Sequence, residues 1–354
     1  MIWLTWRQFR GAAAMMGAIL LVLAAVLAIT GPGLAAEYSA GVASCTGEGG
    51  DCARFFDRFF EDNQASFLLV TVVGLVLPAL TGLFWGAPLI TRELEAGTHL
   101  LVWNQSITRA RWLAVKLAVI GLAAVAAAGL GSLVVTWWSG PLDSSAAPGF
   151  ALMDPLVFGA RGIVPMGYAA FAFMLGVTVG MLLRRTLTAM AVTLAVFAAL
   201  QILVPLLARP HLQAPVTSAF QLSQENIDVF GLPRDGSSPR VALENAIPGH
   251  TGAWVLSSEL VDPSGRPMSS DDAGTIVPIS ATSGPCAPPS VAAPGEGGMG
   301  ACLAEVNRLG YRQQAIYHPF TRFWTFQAIE TGAYALLTLG LTGFCFWWIR
   351  RRLS

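Results

Sequence analysis

Residues able to move protons, hold a metal or attack a carbonyl are few in these 354 residues, and they are scattered. His99, His211, His250 and His318 stand far apart, and no H-E-x-x-H or G-x-S-x-G run occurs. Lys116 is the single lysine, in Trp112-Leu-Ala-Val-Lys116-Leu, so a GxxxxGK[ST] phosphate loop is excluded. No Cys or His pair has close metal-ligand spacing, and no metal site is expected. The one chemistry the spacing favours is disulfide formation. Six residues separate Cys45 from Cys52 and fifteen separate Cys286 from Cys302. Local pairing is expected if both regions face an oxidising exterior, although four cysteines allow three connectivities. Cys345 reads as an inert packing residue.

The elements that must position these residues follow from composition. Hydrophobic residues make up 54% and charged residues only 12%, about half the usual charge content. A water-soluble chain cannot cover its surface on that allowance. Lys+Arg and Asp+Glu are 21 each, which excludes a broad basic face for nucleic acid. Six apolar segments reach the roughly 20 residues that cross a bilayer: 11–36, 63–91, 117–142, 162–183, 186–208 and 323–349. The expected fold is an all-α polytopic membrane protein with six transmembrane helices.

Basic residues orient it. With both termini cytoplasmic, the cytoplasmic pieces hold Arg7, Arg10, Arg92, Arg109, Arg111, Lys116, Arg184, Arg185 and Arg350–Arg352 against only Glu93 and Glu95. The expected organisation is then an interfacial helix and first span over 1–36, with Ile2, Trp3, Trp6 and Phe9 on one sector. An outer loop covers 37–62, and spans two to five cover 63–208 with a cytoplasmic loop at 91–112. A large extracytoplasmic insertion covers 209–322, and a sixth span with a basic tail covers 323–354. The insertion is rich in Pro, Gly and Ser, so it reads as mostly irregular, with a helix over 302–314.

Glu330 is the one carboxylate inside a span. Counting from Ile349 at about 1.5 Å per residue places it near the outer edge of the hydrocarbon core. It either reaches water or pairs with an outer arginine, or it lines the outer mouth of a passage. Pro78, Pro88, Pro165 and Pro205 are candidate kinks, and Gly176-x-x-x-Gly180 permits close helix approach.

The most informative stretch runs from Ile90 to Trp112. Gly97 can end the second span's helix, Thr98 can cap a short helix carrying Leu100, Leu101 and Trp103, and Thr108 can cap the third span. This loop resembles the first cytoplasmic loop of membrane subunits of ATP-binding-cassette exporters, the type-2 permease family. The matching residues are Arg92, Glu93, Gly97, Thr98, Ser106, Thr108, Arg109 and Lys116. The wording from Trp103 to Trp112, and Trp6-Arg-Gln-Phe-Arg10, look like a subgroup from high-GC Gram-positive bacteria. The long last outer connection departs from the family's short hairpin.

The resemblance implies a plasma-membrane permease that is not itself an enzyme. It implies pairing with a second permease chain, identical or related, and docking on separate ABC-type ATPase subunits that bind ATP and Mg, with no cofactor on this chain. The coupling loop would comprise Arg92, Glu93, Glu95, Gly97, Thr98, Leu100, Leu101, Trp103 and Arg109. Glu93 and Glu95 would pair with basic groups on the ATPase, or make surface pairs with Arg92, Arg109 or Arg111. The substrate would be a hydrophobic or amphipathic compound. The alternative is a membrane-anchored sensor or assembly factor acting through its outer region.

Overall fold

The computed structural model describes residues 2–47, 52–96, 108–145, 149–231, 238–271, 274–287 and 299–351. They form two compact units. The first, 1–145, 155–212 and 323–354, is a helix bundle holding six helices long and apolar enough to cross a membrane. The chain is a membrane-spanning protein.

Helix α1, Ile2–Gly47, has 46 residues and so is about 69 Å long, more than twice a hydrocarbon core. The expected interfacial helix and the first part of the expected outer loop, 37–47, are therefore continuous with the first span. Helix α2, Ala53–Thr81, likewise starts ten residues before the apolar run. An aromatic cluster explains both extensions. Tyr38 lies 6.2 Å from Phe56 and 5.6 Å from Phe59, ring centre to ring centre, so the two helices keep packing beyond the apolar runs. The Cys45–Cys52 disulfide closes this hairpin.

A π turn, Gly82–Gly86, follows Pro78 and leads into α3, Ala87–Glu95. Thr108 caps α4, Arg109–Ser144, by accepting a hydrogen bond from the Arg111 amide at 3.3 Å. A short helix α5, Pro155–Phe158, precedes α6, Val164–Leu183. Helix α7, Thr186–Leu203, ends in a second π turn, Val204–Ala208, that contains Pro205.

Glycines set the central packing. A Cβ on Gly176 would stand 2.7 Å from the Ala87 amide nitrogen, and one on Gly180 would stand 2.8 Å from the Ala87 carbonyl oxygen. The Gly176-x-x-x-Gly180 pair is thus used within the chain, where α6 lies backbone to backbone against the first π turn and α3.

The second unit, 146–154 and 213–322, corrects the expectation of an all-α fold, because a small sheet region stands among its irregular stretches. It contains strands β1 (Val216–Phe220), β2 (Ile227–Gly231), β3 (Arg240–Leu243), β4 (Trp254–Val261), β5 (Ser270–Asp271), β6 (Gly274–Ile276) and β7 (Arg312–His318). They form antiparallel sheets of order β1-β7-β4 and β2-β3-β6-β5. Helix α8, Met299–Arg308, stops short of the expected 302–314. Gly310, at φ +97°, turns the chain where an L side chain is disfavoured, and β7 follows.

The strands are short and separated by Pro- and Gly-rich turns, so their alternation is faint in the sequence. Leu222, Val241, Leu260, Val277, Leu303 and Val306 form the core beside the Cys286–Cys302 disulfide. Both disulfides have the expected local connectivity. Asn226 donates to Gln313 Oε1 at 2.6 Å, and Gln313 donates to the Ala246 carbonyl at 2.9 Å, so the buried amides are paired. Helix α9, Phe323–Arg351, completes the bundle.

Gly176→Ala should lower the stability of the detergent-solubilised protein by about 1–3 kcal/mol through overpacking, whereas Gly140→Ala, with open space around it, should change little. Differential scanning fluorimetry reads both.

Asp154 supplies a pH test. Burial pushes its carboxyl up to about 6, against the hydrogen bond it accepts from the Ala151 amide. A folded-state value above the unfolded one means that ionisation costs stability as pH rises from about 4 through 6, and the cost is absent below that window. Asp154→Asn should therefore raise the thermal midpoint at pH 7.5 and leave it unchanged at pH 4.

Candidate functional site

The expected site residues fall at two opposite ends of the bundle. The basic end gathers Arg7 and Arg10 of α1, Arg92 of α3, Arg109 and Arg111 of α4, Arg184, Arg185, and Arg350 and Arg351 of α9. Gly97, Thr98, Leu100, Leu101 and Trp103 lie outside the described residues. So do Ser106 and Arg352.

Each of the two acids also has a partner within the chain that was not among those expected. Glu93 pairs with Lys116, whose ammonium also lies 4.7 Å from the centre of the Trp112 ring. Trp112 is buried in the core with Leu113 and Phe173. Glu95 accepts hydrogen bonds from the Thr186 amide at 2.8 Å and the Thr186 hydroxyl at 2.7 Å. The Thr186 hydroxyl lies 3.1 Å from that of Thr91. A carboxylate at the end of α3 thus holds the first turn of α7, where free amides and the helix dipole favour negative charge. Arg92 is exposed and Arg109 half-buried.

At the other end, Glu330 is 2% exposed and forms a bidentate pair with Arg209, at 2.9 Å from Nε and 3.0 Å from Nη2. Tyr168 donates its hydroxyl to the same carboxylate, and the Arg209 guanidinium stacks 4.3 Å over Phe158. The cluster joins α6, the end of α7, and α9. A second buried arginine, Arg161, reaches Asp143 at 3.3 Å and the Thr71 hydroxyl at 3.3 Å, joining the 155–163 segment to α4 and α2.

Gln327 of α9 completes this end. Its Oε1 accepts from the Ile163 and Val164 amides at 2.9 Å each, so it caps α6 from a different helix. Neither Gln327 nor the Arg161 cluster is marked by any pattern in the sequence. The lone charge of Glu330 asks for a cation, but any of ten outer arginines would have met that need.

Beside the cluster, between α2 and α7, lies a groove of about 550 Å³. Val72, Val76, Leu194, Phe197 and Leu206 make it apolar, and Gln201, Tyr168 and Arg209 are its polar lining. Glu330 is absent from that lining among the described residues. Of the readings open for Glu330, pairing with an arginine is the one the structure shows, and its bonded partners Tyr168 and Arg209 reach the groove.

Residues 17–209 match the family described as ABC-2 membrane transporter related. That is more than half of the chain. The chain belongs to this family. No curated protein and no solved structure matches it. As an ABC-2 type permease, it is a component of an ABC transporter, and membership implies association with ABC ATPase partners. The ABC-2 match takes in α3, the Glu95–Thr186 contact and Arg209, its last residue, but stops before β1 and Glu330.

Breaking the buried pair by Glu330→Gln leaves the Arg209 charge uncompensated and should cost about 3–5 kcal/mol. Replacing both with apolar residues, Arg209→Met with Glu330→Leu, should restore most of that loss. A thermal-unfolding cycle on the purified ABC-2 chain tests it; additive losses in the double variant would refute the pairing.

Proposed function

We propose that this chain is the permease subunit of an ATP-driven exporter of the plasma membrane, working as a homo- or heterodimer with both termini in the cytoplasm. It forms the transmembrane pathway for a hydrophobic or amphipathic compound. ATP and Mg bind on separate ATPase subunits, and this chain hydrolyses nothing itself. Its loop wording favours the high-GC Gram-positive subgroup.

The observation that carries this reading is the hydrogen-bonded link from Glu95 to Thr186. The connection after α3 is where an ATPase would dock, through Leu100, Leu101 and Trp103. Motion there would reach α7 through the Glu95 cap and pass along α7 to the groove it shares with α2. Differential contact of that loop with two ATPase states would bias the permease between inward-open and outward-open forms. The Arg209–Glu330–Tyr168 cluster then serves as the outer closure, since parting it exposes the groove's far end. The apolar lining favours a substrate with a substantial hydrocarbon part.

A sensor or assembly factor remains the second reading, because residues 213–322 hold two sheets, a core and a disulfide of their own.

Co-purification with the ATPase separates the two. Leu101→Asp with Trp103→Asp should weaken ATPase association by about tenfold or more, as loss of a buried apolar anchor does. Glu95→Gln should leave association intact while lowering permease-dependent stimulation of ATP hydrolysis. Full association and stimulation in all variants would remove the coupling assignment.

A further inference from the structure

A second pocket, of about 260 Å³, lies at the basic end among α1, α3 and α4. Its walls are apolar: Phe9 and Ala12 of α1, Phe84 and Trp85 of the π turn, and Leu89. They are fixed in place, since Phe9 meets Trp85 edge-on at 4.7 Å and Trp85 Nε1 donates to the Ala12 carbonyl at 3.3 Å. Its polar lining is Arg92, Glu93 and Lys116. Glu93 is engaged by Lys116, so the charge presented by the pocket is that of Arg92.

The surroundings add to that charge. Among the described residues this end carries nine arginines and Lys116 against Glu93 and Glu95, both bonded within the chain. On α1, Trp3 and Trp6 are exposed beside Arg7, a pattern suited to headgroup depth.

We propose that this pocket binds the headgroup of an acidic phospholipid from the adjacent leaflet. Arg92 donates to a phosphodiester oxygen, and the aromatic walls take the glycerol and the first acyl carbons. The volume is below the 300–1,000 Å³ or so usual for a whole drug-sized ligand, which fits a headgroup whose chains stay in the bilayer. A free anion would leave the apolar walls unused, so a lipid is the better occupant. The bound lipid would lie against α3 and so bear on the segment that ends at Glu95.

The test uses the purified full-length chain, delipidated and offered equal amounts of dioleoyl phosphatidylglycerol and dioleoyl phosphatidylcholine, with retained lipid read by native mass spectrometry. One near-surface arginine predicts a preference of about fivefold for phosphatidylglycerol. Arg92→Gln should bring the ratio near parity, and Arg92→Lys should keep most of it. Leu89→Trp, which fills the pocket without changing charge, should also abolish it, whereas Arg351→Gln should not.

Equal retention of both lipids, or a full preference in Arg92→Gln and Leu89→Trp, would overturn the proposal.

Discussion

A guanidinium buried in a helix bundle needs a counter-charge and hydrogen-bond partners, and this requirement organises the end of the molecule opposite the basic one. Arg209 and Arg161 are 1% and 0% exposed. Each is paired with a carboxylate from another helix and with a hydroxyl from a third element. The two clusters therefore do more than neutralise charge. They fix the ends of α2, α4, α6, α7 and α9 relative to one another, with Gln327 tying the 155–163 segment into the same arrangement. Replacing such a cluster with hydrocarbon would cost little stability but would remove the directional bonds that select one closure. In a gate, that selectivity is the useful property.

The middle of the bundle is held by a different force. Gly82, Gly86, Gly176 and Gly180 let two helices touch backbone to backbone, where shape rather than charge sets the contact. Helix α7 has an open and a packed face: Leu187, Leu194 and Ile202 are exposed, whereas Ala189, Thr193 and Phe197 are buried. Glu95 bonds its first turn, and a π turn containing Pro205 follows it before Arg209 reaches Glu330. A helix bonded at its start and followed by a π turn is mechanically suited to carry a displacement along its length.

What the sequence made legible was what depends on transfer from water. The six apolar runs, the clustering of arginine at alternate ends and the local disulfides all follow from solvation or chain proximity, and each needs only nearby residues to be read. What it hid were long-range partnerships. Glu330 stood out because a charge among apolar residues is conspicuous, yet its partner lies 121 positions away. Gln327 is an unremarkable amide until Ile163 and Val164 present their amides to it. Glu93 and the exposed Glu95 gave no hint of their partners, because the lysine and threonine they bond lie on other helices. The sheets were hidden for a related reason: among the described residues, seven strands of two to eight residues leave too short an alternation to rise above the surrounding Pro and Gly.

The distribution of family likeness also has a physical reading. The match ends at Arg209, just where the chain leaves the bundle, and Glu330 comes soon after it returns. Because these two residues are bonded, the points of exit and re-entry are held together whatever lies between them. Lengthening a closed loop adds only logarithmically to its entropic cost, about 0.6 kcal/mol per doubling, so a connection can grow without straining such an anchor. Once long enough to bury a core, it can repay that cost by folding. The bonded pair thus makes a folded region of this size tolerable between Arg209 and Glu330.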